Sequence, residues 1–240
     1  MAESPLTEAQ VAEYYREGYI VAPGLVPEAS IDKLITEVKL PEWLKDGGDW
    51  TPMIFDHKEP TKDARLHRLL VEPSVINAVE QIFELPARVY FGMVAIVPAR
   101  GGKGLPWHQD NQYSTILNGA LNVFIACCDI TPDKAMLWVA PKSHLQGTLP
   151  AHLSETHGGH READVAPETG IQLEKLNKGD VVIFDRNTLH RSLKNDTSKH
   201  RYAYAAQYQA DNAREALTGE KDPMRMRACD LREQLLPLLG

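Results

Sequence analysis

The first third of the chain shows the hydrophobic spacing of amphipathic helices. Thr7, followed three residues later by a glutamine, predicts a capping box, and an apolar stripe that extends to Ile20 is broken at Gly18. Two further helices are predicted at residues 27–38 and at about residues 73–83, each with apolar side chains on one face. We interpret these apolar positions as core.

From about residue 88 the pattern changes to short runs that favour β structure, separated by turn-forming residues. The predicted strands cover residues 88–97, 121–128, 136–139, 181–184 and 202–208. No helix of useful length is predicted between them and about residue 211. Helices followed by many short strands favour a mainly β fold, a double-stranded β-helix (jelly roll) with helices packed outside.

We therefore predict a single domain with three parts. Residues 1–85 form a mainly helical flank, residues 86–210 the jelly-roll core and residues 211–240 a C-terminal helical segment. Residues 146–170 are polar and rich in histidine and glycine, which predicts a long surface loop that is either a lid or disordered.

Composition and charge narrow the possible partners. The formal net charge of −7 argues against a general surface for nucleic acid or anionic membrane. No apolar run is long enough to cross a bilayer, and residues 1–6 lack the start of a secretory signal. The three cysteines form neither a disulfide framework nor a zinc motif. We expect a cytoplasmic protein with a small-molecule substrate, either a monomer or a homodimer.

The tetrapeptide Trp107-His108-Gln109-Asp110 is the most informative motif. On a strand, the side chains of His108 and Asp110 point to the same face, roughly 6.6 Å apart, so both can reach one ion. Two histidines and one carboxylate suit iron(II) and leave open positions on the opposite side of the metal. Taken alone, the His-x-Asp triplet fits a surface pair equally well.

A third ligand must come from elsewhere, and His190 is the best candidate among the nine histidines. It follows the predicted strand at residues 181–184 after a short polar segment. A loop that turns near Asn195 would return Arg201 to the same pocket, where arginine can grip a carboxylate in a bidentate fork. Ser192 can add a hydroxyl hydrogen bond.

Three segments resemble the phytanoyl-CoA dioxygenase family of iron(II)/2-oxoglutarate oxygenases. They are Trp-His-Gln-Asp-x-x-Tyr at residues 107–113, Leu-Trp-Val-Ala-Pro-Lys-Ser-His at residues 137–144, and His-x-Ser-x-x-Asn with the later Arg201 and Gln207-Tyr208 at residues 190–208. Residues 6–24 also look like the beginning of that family, so the resemblance spans nearly the whole chain. The family commonly has glycine where this chain has Lys142, which leaves the geometry of that turn open.

The resemblance implies iron(II), 2-oxoglutarate and dioxygen as the cofactor and cosubstrates. It implies that the iron ligands are His108, Asp110 and His190. The positions that match the cosubstrate pocket are Arg201 at the distal carboxylate, Ser192 beside it, and the lining residues Met93 and Phe124.

The implied activity is hydroxylation of a small metabolite, with release of succinate and carbon dioxide. Related halogenases have a small residue where this chain has Asp110, which favours oxidation over halogenation. The same site could catalyse desaturation, cyclisation or epoxidation of a natural-product intermediate. A non-enzymatic alternative is a metal- or sugar-binding jelly roll, against which Arg201 counts, because a metal-binding protein needs no carboxylate clamp.

Three further residues are candidates for substrate contact. Tyr113 lies three positions beyond Asp110 and could touch the substrate. Trp107 could stack on it, with packing beside the ligand strand as the alternative. Arg186 could make the mouth of the pocket positive and favour an anionic substrate, with ordinary surface charge as the alternative.

Overall fold

The computed structural model describes residues 4–37, 39 and 54–240. Its α-helices are α1 (Glu8–Glu17), α2 (Glu28–Glu37), α3 (Pro73–Phe83) and α4 (Ala228–Leu235). A 3₁₀ helix at Ala64–Val71 precedes α3. The second and third predicted helices are confirmed as α2 and α3, although Val38 lies outside the described residues. Within the described residues, no helix has the length and apolar character needed to span a bilayer.

The strands follow one another in short segments. They are β1 (Tyr19–Ala22), β2 (Ala87–Val97), β3 (Leu105–His108), β4 (Ile116–Leu117), β5 (Ala120–Ala126), β6 (Leu137–Val139), β7 (Ala151–Leu153), β8 (Arg161–Ala163), β9 (Ile171–Gln172), β10 (Val181–Asp185), β11 (His190–Ser192), β12 (Arg201–Ala210) and β13 (Arg214–Glu215). The five predicted strands correspond to β2, β5, β6, β10 and β12.

Two antiparallel sheets form the core of the fold. The larger sheet has the order β1-β10-β5-β12-β2, and the smaller one has the order β3-β11-β6-β9. From β2 to β12 the chain crosses repeatedly between the two sheets, which is the connectivity of the predicted jelly roll. Two short pairs, β13-β4 and β7-β8, lie outside these sheets.

The junction between α1 and β1 departs from the predicted helical stripe. Thr7 and Gln10 form the predicted capping box, and α1 ends at Gly18, whose φ of 84° is a left-handed conformation that favours glycine. The chain then enters β1, which pairs with β10 at the edge of the larger sheet. Ile20 therefore lies on a strand and not on the predicted helix, because pairing with β10 decides its conformation.

Strand β5 shows how the larger sheet separates two layers of core. Leu121, Val123 and Ile125 pack on the outer face with the helices, whereas Phe124 and Ala126 face the smaller sheet. This alternation is the period of two that a strand buried on both faces requires. The inner faces of the two sheets therefore enclose the space in which any chemistry takes place.

Residues 146–170 contain more regular structure than predicted. Strands β7 and β8 form an antiparallel hairpin, in which Ala151 pairs with Ala163. The prediction of a long loop missed this hairpin, because its strands are only three residues long.

The C-terminal leucines divide between core and surface. Leu231 and Leu235 of α4 are buried against the helical layer, whereas Leu236 and Leu238 are about half exposed. The choice between monomer and homodimer stays a prediction, as does the cytoplasmic location.

Asn195 holds the turn that connects β11 to β12. Its Nδ2 donates hydrogen bonds to the carbonyls of Val97 (3.2 Å) and Lys199 (2.8 Å). Its Oδ1 accepts hydrogen bonds from the backbone N–H (3.1 Å) and the hydroxyl (2.8 Å) of Thr197. The side chain is fully buried.

We expect Asn195→Ala to lower the free energy of unfolding by about 2–3 kcal/mol, because it leaves several buried polar groups without partners. Denaturation with urea at fixed pH measures this loss. The exposed Asn212→Ala is the matched control and should change stability by less than about 0.5 kcal/mol. Equal stabilities for the two variants would contradict a structural role for Asn195.

Candidate active site

Strands β3 and β11 bring two distant histidines side by side. His108 and His190 are paired residues of these antiparallel strands, and their ring centroids are 4.1 Å apart. His190 also pairs with Val139, which belongs to the core between the sheets, so the rings lie on the inner face. Asp110 begins the 3₁₀ helix Asp110–Gln112 immediately beyond β3. Segments 80 positions apart in the sequence thus converge on one place.

The three side chains are spaced as ligands of one ion. The carboxylate of Asp110 lies 4.0 Å from Nε2 of His108 and 3.9 Å from Nε2 of His190. All candidate ligand atoms are within 4.8 Å of one another, a spacing that one divalent ion spans with small side-chain adjustments. In the described part of the chain, no other three His, Cys, Asp or Glu side chains cluster in this way.

Backbone carbonyls select the tautomer of both rings. Nδ1 of His108 lies 2.8 Å from the carbonyl of Pro106, and Nδ1 of His190 lies 3.0 Å from the carbonyl of Thr188. Because a carbonyl only accepts hydrogen bonds, Nδ1 carries the proton and Nε2 presents its lone pair. Burial lowers the pKa of His108 to about 4, so this ring is neutral at physiological pH.

Arg186 positions the segment that carries Asp110. The side chain is 1% exposed, and its Nη2 donates hydrogen bonds to the carbonyls of Asp110 and Ser114, each at 3.0 Å. Its Nε donates to Oδ1 of Asn111 (3.0 Å), and its Nη1 donates to the amide of Gln207. With its donors engaged and its charge buried, Arg186 does not lie at the pocket mouth where we predicted a substrate contact. It braces the 3₁₀ helix instead.

Arg201, at the start of β12, is buried and has no anionic partner in the part of the chain that the structure describes. It is 6% exposed, its guanidinium lies 5.3 Å from the centre of the Phe124 ring, and Nη1 makes a long hydrogen bond to the carbonyl of Ala135 (3.4 Å). Nε has no hydrogen-bond partner among the described residues. Burial lowers its pKa to about 10, and no carboxylate of the described chain offsets that effect. A buried, unpaired guanidinium costs roughly several kcal/mol, so this donor set fits a carboxylate ligand.

The other predicted cosubstrate residues lie on the same inner faces. Ser192 follows His190 by two positions on β11, and its Oγ accepts a hydrogen bond from the backbone N–H of Leu105 (3.2 Å). Met93 pairs with Ala205 of β12, which on its other side pairs with Phe124 of β5. The structure therefore brings Met93, Phe124, Ser192 and Arg201 to the space between the sheets.

Trp107 points away from this space. As the neighbour of His108 on β3, it lies on the outer face of the smaller sheet. There the guanidinium of Arg191 stacks between Trp107 and Trp138, 4.8 and 4.6 Å from the two ring centres. This placement supports the packing alternative for Trp107 and not contact with a substrate.

Tyr113 lies at the edge of the site. Its ring meets that of His108 edge-on, with centroids 6.0 Å apart. Its hydroxyl lies 3.2 Å from Nδ1 of His160 and accepts a hydrogen bond from the backbone N–H of Arg161 (3.0 Å). Tyr113 therefore ties the β7-β8 hairpin to the ligand strand, and contact with a substrate remains a proposal for this residue.

The turn that contains Lys142 keeps the conformation of a glycine. Lys142 has a φ of 65°, in the left-handed region, and its backbone N–H donates to the carbonyl of Glu17 (2.8 Å). The departure from the family pattern at this position therefore changes the side chain and leaves a compact turn.

Sequence reasoning singled out Arg186 as a substrate contact, without its buried placement, and it did not single out Asn122. Arg186 directly follows a buried strand, and no local signal distinguishes it from a surface arginine. Asn122 carried a usable signal, because it is the single polar residue in the buried strand β5. A polar side chain in such a strand needs a partner.

Fold and site together define a class of protein. A jelly roll with two histidines and one carboxylate on its inner face has the donor set of non-haem iron(II) oxygenases. A family model described as phytanoyl-CoA dioxygenase (PhyH) matches residues 14–203. The chain belongs to the phytanoyl-CoA dioxygenase family.

A curated relative agrees with this assignment, and solved structures share the fold. The ectoine dioxygenase of Bordetella parapertussis is 25% identical, over 79% of this chain and 71% of the relative. The epimerase SnoN from nogalamycin biosynthesis superposes with a TM-score of 0.71 at 18% identity, covering 92% of this chain and 97% of its own. The non-heme monooxygenase ThoJ gives a TM-score of 0.70 at 18% identity, covering 95% of both chains.

The predicted family, fold class and enzyme class are thereby confirmed. The protein is an oxidoreductase of the iron- and 2-oxoglutarate-dependent dioxygenase class, with iron, 2-oxoglutarate and dioxygen as its cofactor and cosubstrates.

Proposed function

We propose that this protein hydroxylates a small metabolite while 2-oxoglutarate is decarboxylated to succinate and carbon dioxide. His108, Asp110 and His190 hold the iron(II) ion in this proposal, and Arg201 binds the distal carboxylate of 2-oxoglutarate. The observation that carries it is the pairing of a cluster of two buried histidines and one carboxylate with a buried arginine that has no anionic partner among the described residues.

Each residue contributes by binding or orientation. The iron, when bound, couples dioxygen activation to the oxidation of 2-oxoglutarate, and the chain holds the reactants. The Nδ1 hydrogen bonds of the two histidines aim both Nε2 lone pairs at one point. Ser192 adds a hydroxyl beside the carboxylate clamp. The aromatic and thioether side chains of Phe124 and Met93 exclude water from this end of the site.

A compact polar molecule is the substrate class that we propose. One relative is an ectoine dioxygenase, and this similarity supports a small soluble metabolite over a bulky acyl chain. Ectoine is therefore the first compound to test, followed by amino acids, phosphonates, acyl-CoAs and cyclic natural products. The mass of the product distinguishes hydroxylation from desaturation or cyclisation.

Anaerobic titration tests the proposal directly. Addition of iron(II) and then 2-oxoglutarate to the wild-type protein should produce a weak visible charge-transfer band. Exposure to air with a substrate should then release succinate. Zinc(II), which has no redox chemistry, is the control metal and should give neither signal. Absence of both the band and succinate release in the iron-loaded protein would overturn the proposal and favour a non-catalytic jelly roll.

A further inference from the structure

Asn122 carries a buried amide that makes no hydrogen bond to the described part of the chain. The residue is 3% exposed, and neither Nδ2 nor Oδ1 has a hydrogen-bond partner among the described residues. Native proteins pair the large majority of buried side-chain polar atoms. An amide that leaves both its donor and its acceptor unpaired is therefore placed for a ligand.

The strand pairing directs this amide into the active site. Asn122 shares the inner face of β5 with Phe124 and Ala126. Its register partner on β10 is Phe184, whose ring lies 4.6 Å from that of His190. Its register partner on β12 is Gln207, which accepts a hydrogen bond from Arg186. Asn122 thus lies between a neighbour of the metal cluster and the arginine that braces Asp110.

Within the described residues, no nearby side chain pairs with either half of the amide. Arg186 donates its hydrogen bonds to Asn111, Gln207 and two backbone carbonyls. The ring of Phe184 offers no polar atom. Gln207, the register partner on β12, accepts a hydrogen bond from Arg186 and makes none to Asn122. A bound molecule can therefore supply both the donor and the acceptor.

2-Oxoglutarate does not match this requirement. Its two carboxylates and its ketone are all acceptors, so none of them can donate a hydrogen bond to Oδ1 of Asn122. Arg201 also lies six residues before Gln207 along β12, a separation of roughly 20 Å along the strand. The backbone positions of Arg201 and Asn122 are therefore well separated, although the guanidinium of Arg201 reaches Phe124, the next inner-face residue of β5.

We propose that Asn122 is a specificity-determining residue, whose amide binds a group of the organic substrate that carries both a hydrogen-bond donor and an acceptor, such as a hydroxyl or a carboxamide. This inference rests on the proposed function, because it assigns the substrate side of the same iron site. A site built to pair such a group discriminates strongly against an analogue that lacks it.

Stability provides the first test, with the zinc-loaded protein free of other ligands. Asn122→Leu keeps the volume and removes the unpaired polar atoms, so the melting temperature should rise by roughly 2–8 °C. Asn111→Leu is the matched control. Asn111 is equally buried but fully hydrogen-bonded to Ile116, Arg186 and Asn187, so its replacement should lower the melting temperature. A lower melting temperature for Asn122→Leu as well would show that the amide is structural and overturn the inference.

Cosubstrate affinity provides the second test. In the anaerobic iron(II) protein, Asn122→Leu should bind 2-oxoglutarate within about threefold of the wild-type affinity. This is a change of less than about 0.7 kcal/mol in binding free energy. A larger loss would make Asn122 a ligand of the cosubstrate and end the substrate assignment. Absence of the visible band in the wild-type protein would instead count against the proposed function itself.

Small probes provide the third test, read by NMR of the side-chain amide in the zinc- and 2-oxoglutarate-loaded protein. The Asn122 signals are assigned by their loss in Asn122→Leu. Acetamide, which has a donor and an acceptor, should shift these signals in a saturable way, whereas acetonitrile, which only accepts, should not. Equal responses to the two probes, or a response to neither, would overturn the inference.

Discussion

The His108→Ala variant is expected to lose tight iron(II) binding and, with it, 2-oxoglutarate-dependent succinate release. The substitution removes one of the three proposed ligands and leaves only Asp110 and His190 for the metal. Loss of a residue that only supports a metal ligand costs about 10–100-fold in affinity or activity, so we expect loss of a ligand itself to cost at least about 100-fold. Metal content after gel filtration and the anaerobic visible band measure the two effects.

The matched control for this variant is His152→Ala. His152 is an exposed imidazole on the β7-β8 hairpin that pairs with Asp164 at 2.8 Å. Its loss should leave iron content and the visible band unchanged. Stoichiometric iron and a normal band in His108→Ala would contradict the proposed ligand set.

Arg201→Ala is expected to raise the concentration of 2-oxoglutarate required for half-maximal succinate release by about 100-fold, with iron(II) still bound. Truncation of one partner in a buried charge pair costs about 2–5 kcal/mol, and each 1.4 kcal/mol is about tenfold in affinity. The 2-oxoglutarate concentration that Arg201→Lys requires should lie between those of Arg201→Ala and the wild type, because lysine keeps the charge but not the bidentate geometry. Steady-state kinetics with 2-oxoglutarate as the varied substrate measure the effect.

Arg191→Lys is the control for the charge-preserving change, because Arg191 lies on the outer face of β11 in the smaller sheet, between two tryptophans. It should change the requirement for 2-oxoglutarate by less than about threefold, since surface changes away from the site have small effects. Parallel loss of iron and 2-oxoglutarate binding in Arg201→Ala would indicate that Arg201 is structural.

A stability measurement separates these two roles of Arg201 further. Arg201→Met removes a buried, unpaired charge, so the ligand-free protein should become more stable even though it no longer responds to 2-oxoglutarate. A destabilised Arg201→Met protein would contradict a guanidinium held for a ligand.

The sequence was most informative about which residues cluster. His108 and Asp110 were predicted to share one face of a strand, and they do converge. Strand β3 nevertheless ends at His108, and Asp110 begins a 3₁₀ helix, so the predicted local structure was wrong. The helix at α3 and the strands β2 and β12 were predictable because each has a long, clear hydrophobic pattern. The family resemblance supported the choice of His190 and Arg201, because their spacing in the sequence does not show which strands lie next to each other.

Long-range pairing explains what the sequence could not provide. Ile20 continues an apolar stripe, yet β10 recruits it into the larger sheet. The β7-β8 hairpin is too short to show a pattern, and it is held in place partly through Tyr113. Arg186 looks like any charged residue in a loop, and only the packed structure shows that it braces the segment of Asp110. In each case a contact between distant residues overrides the local preference.

The control of both histidine rings by carbonyls two residues earlier has an evolutionary consequence. Every amino acid brings the same C=O group, so a mutation at Pro106 or Thr188 exchanges a side chain and keeps the acceptor. The backbone of strands β3 and β11, and not the side chains at these positions, therefore orients the Nε2 atoms of the two histidines. Substitutions at residues 106 and 188 that preserve the two strands keep this orientation.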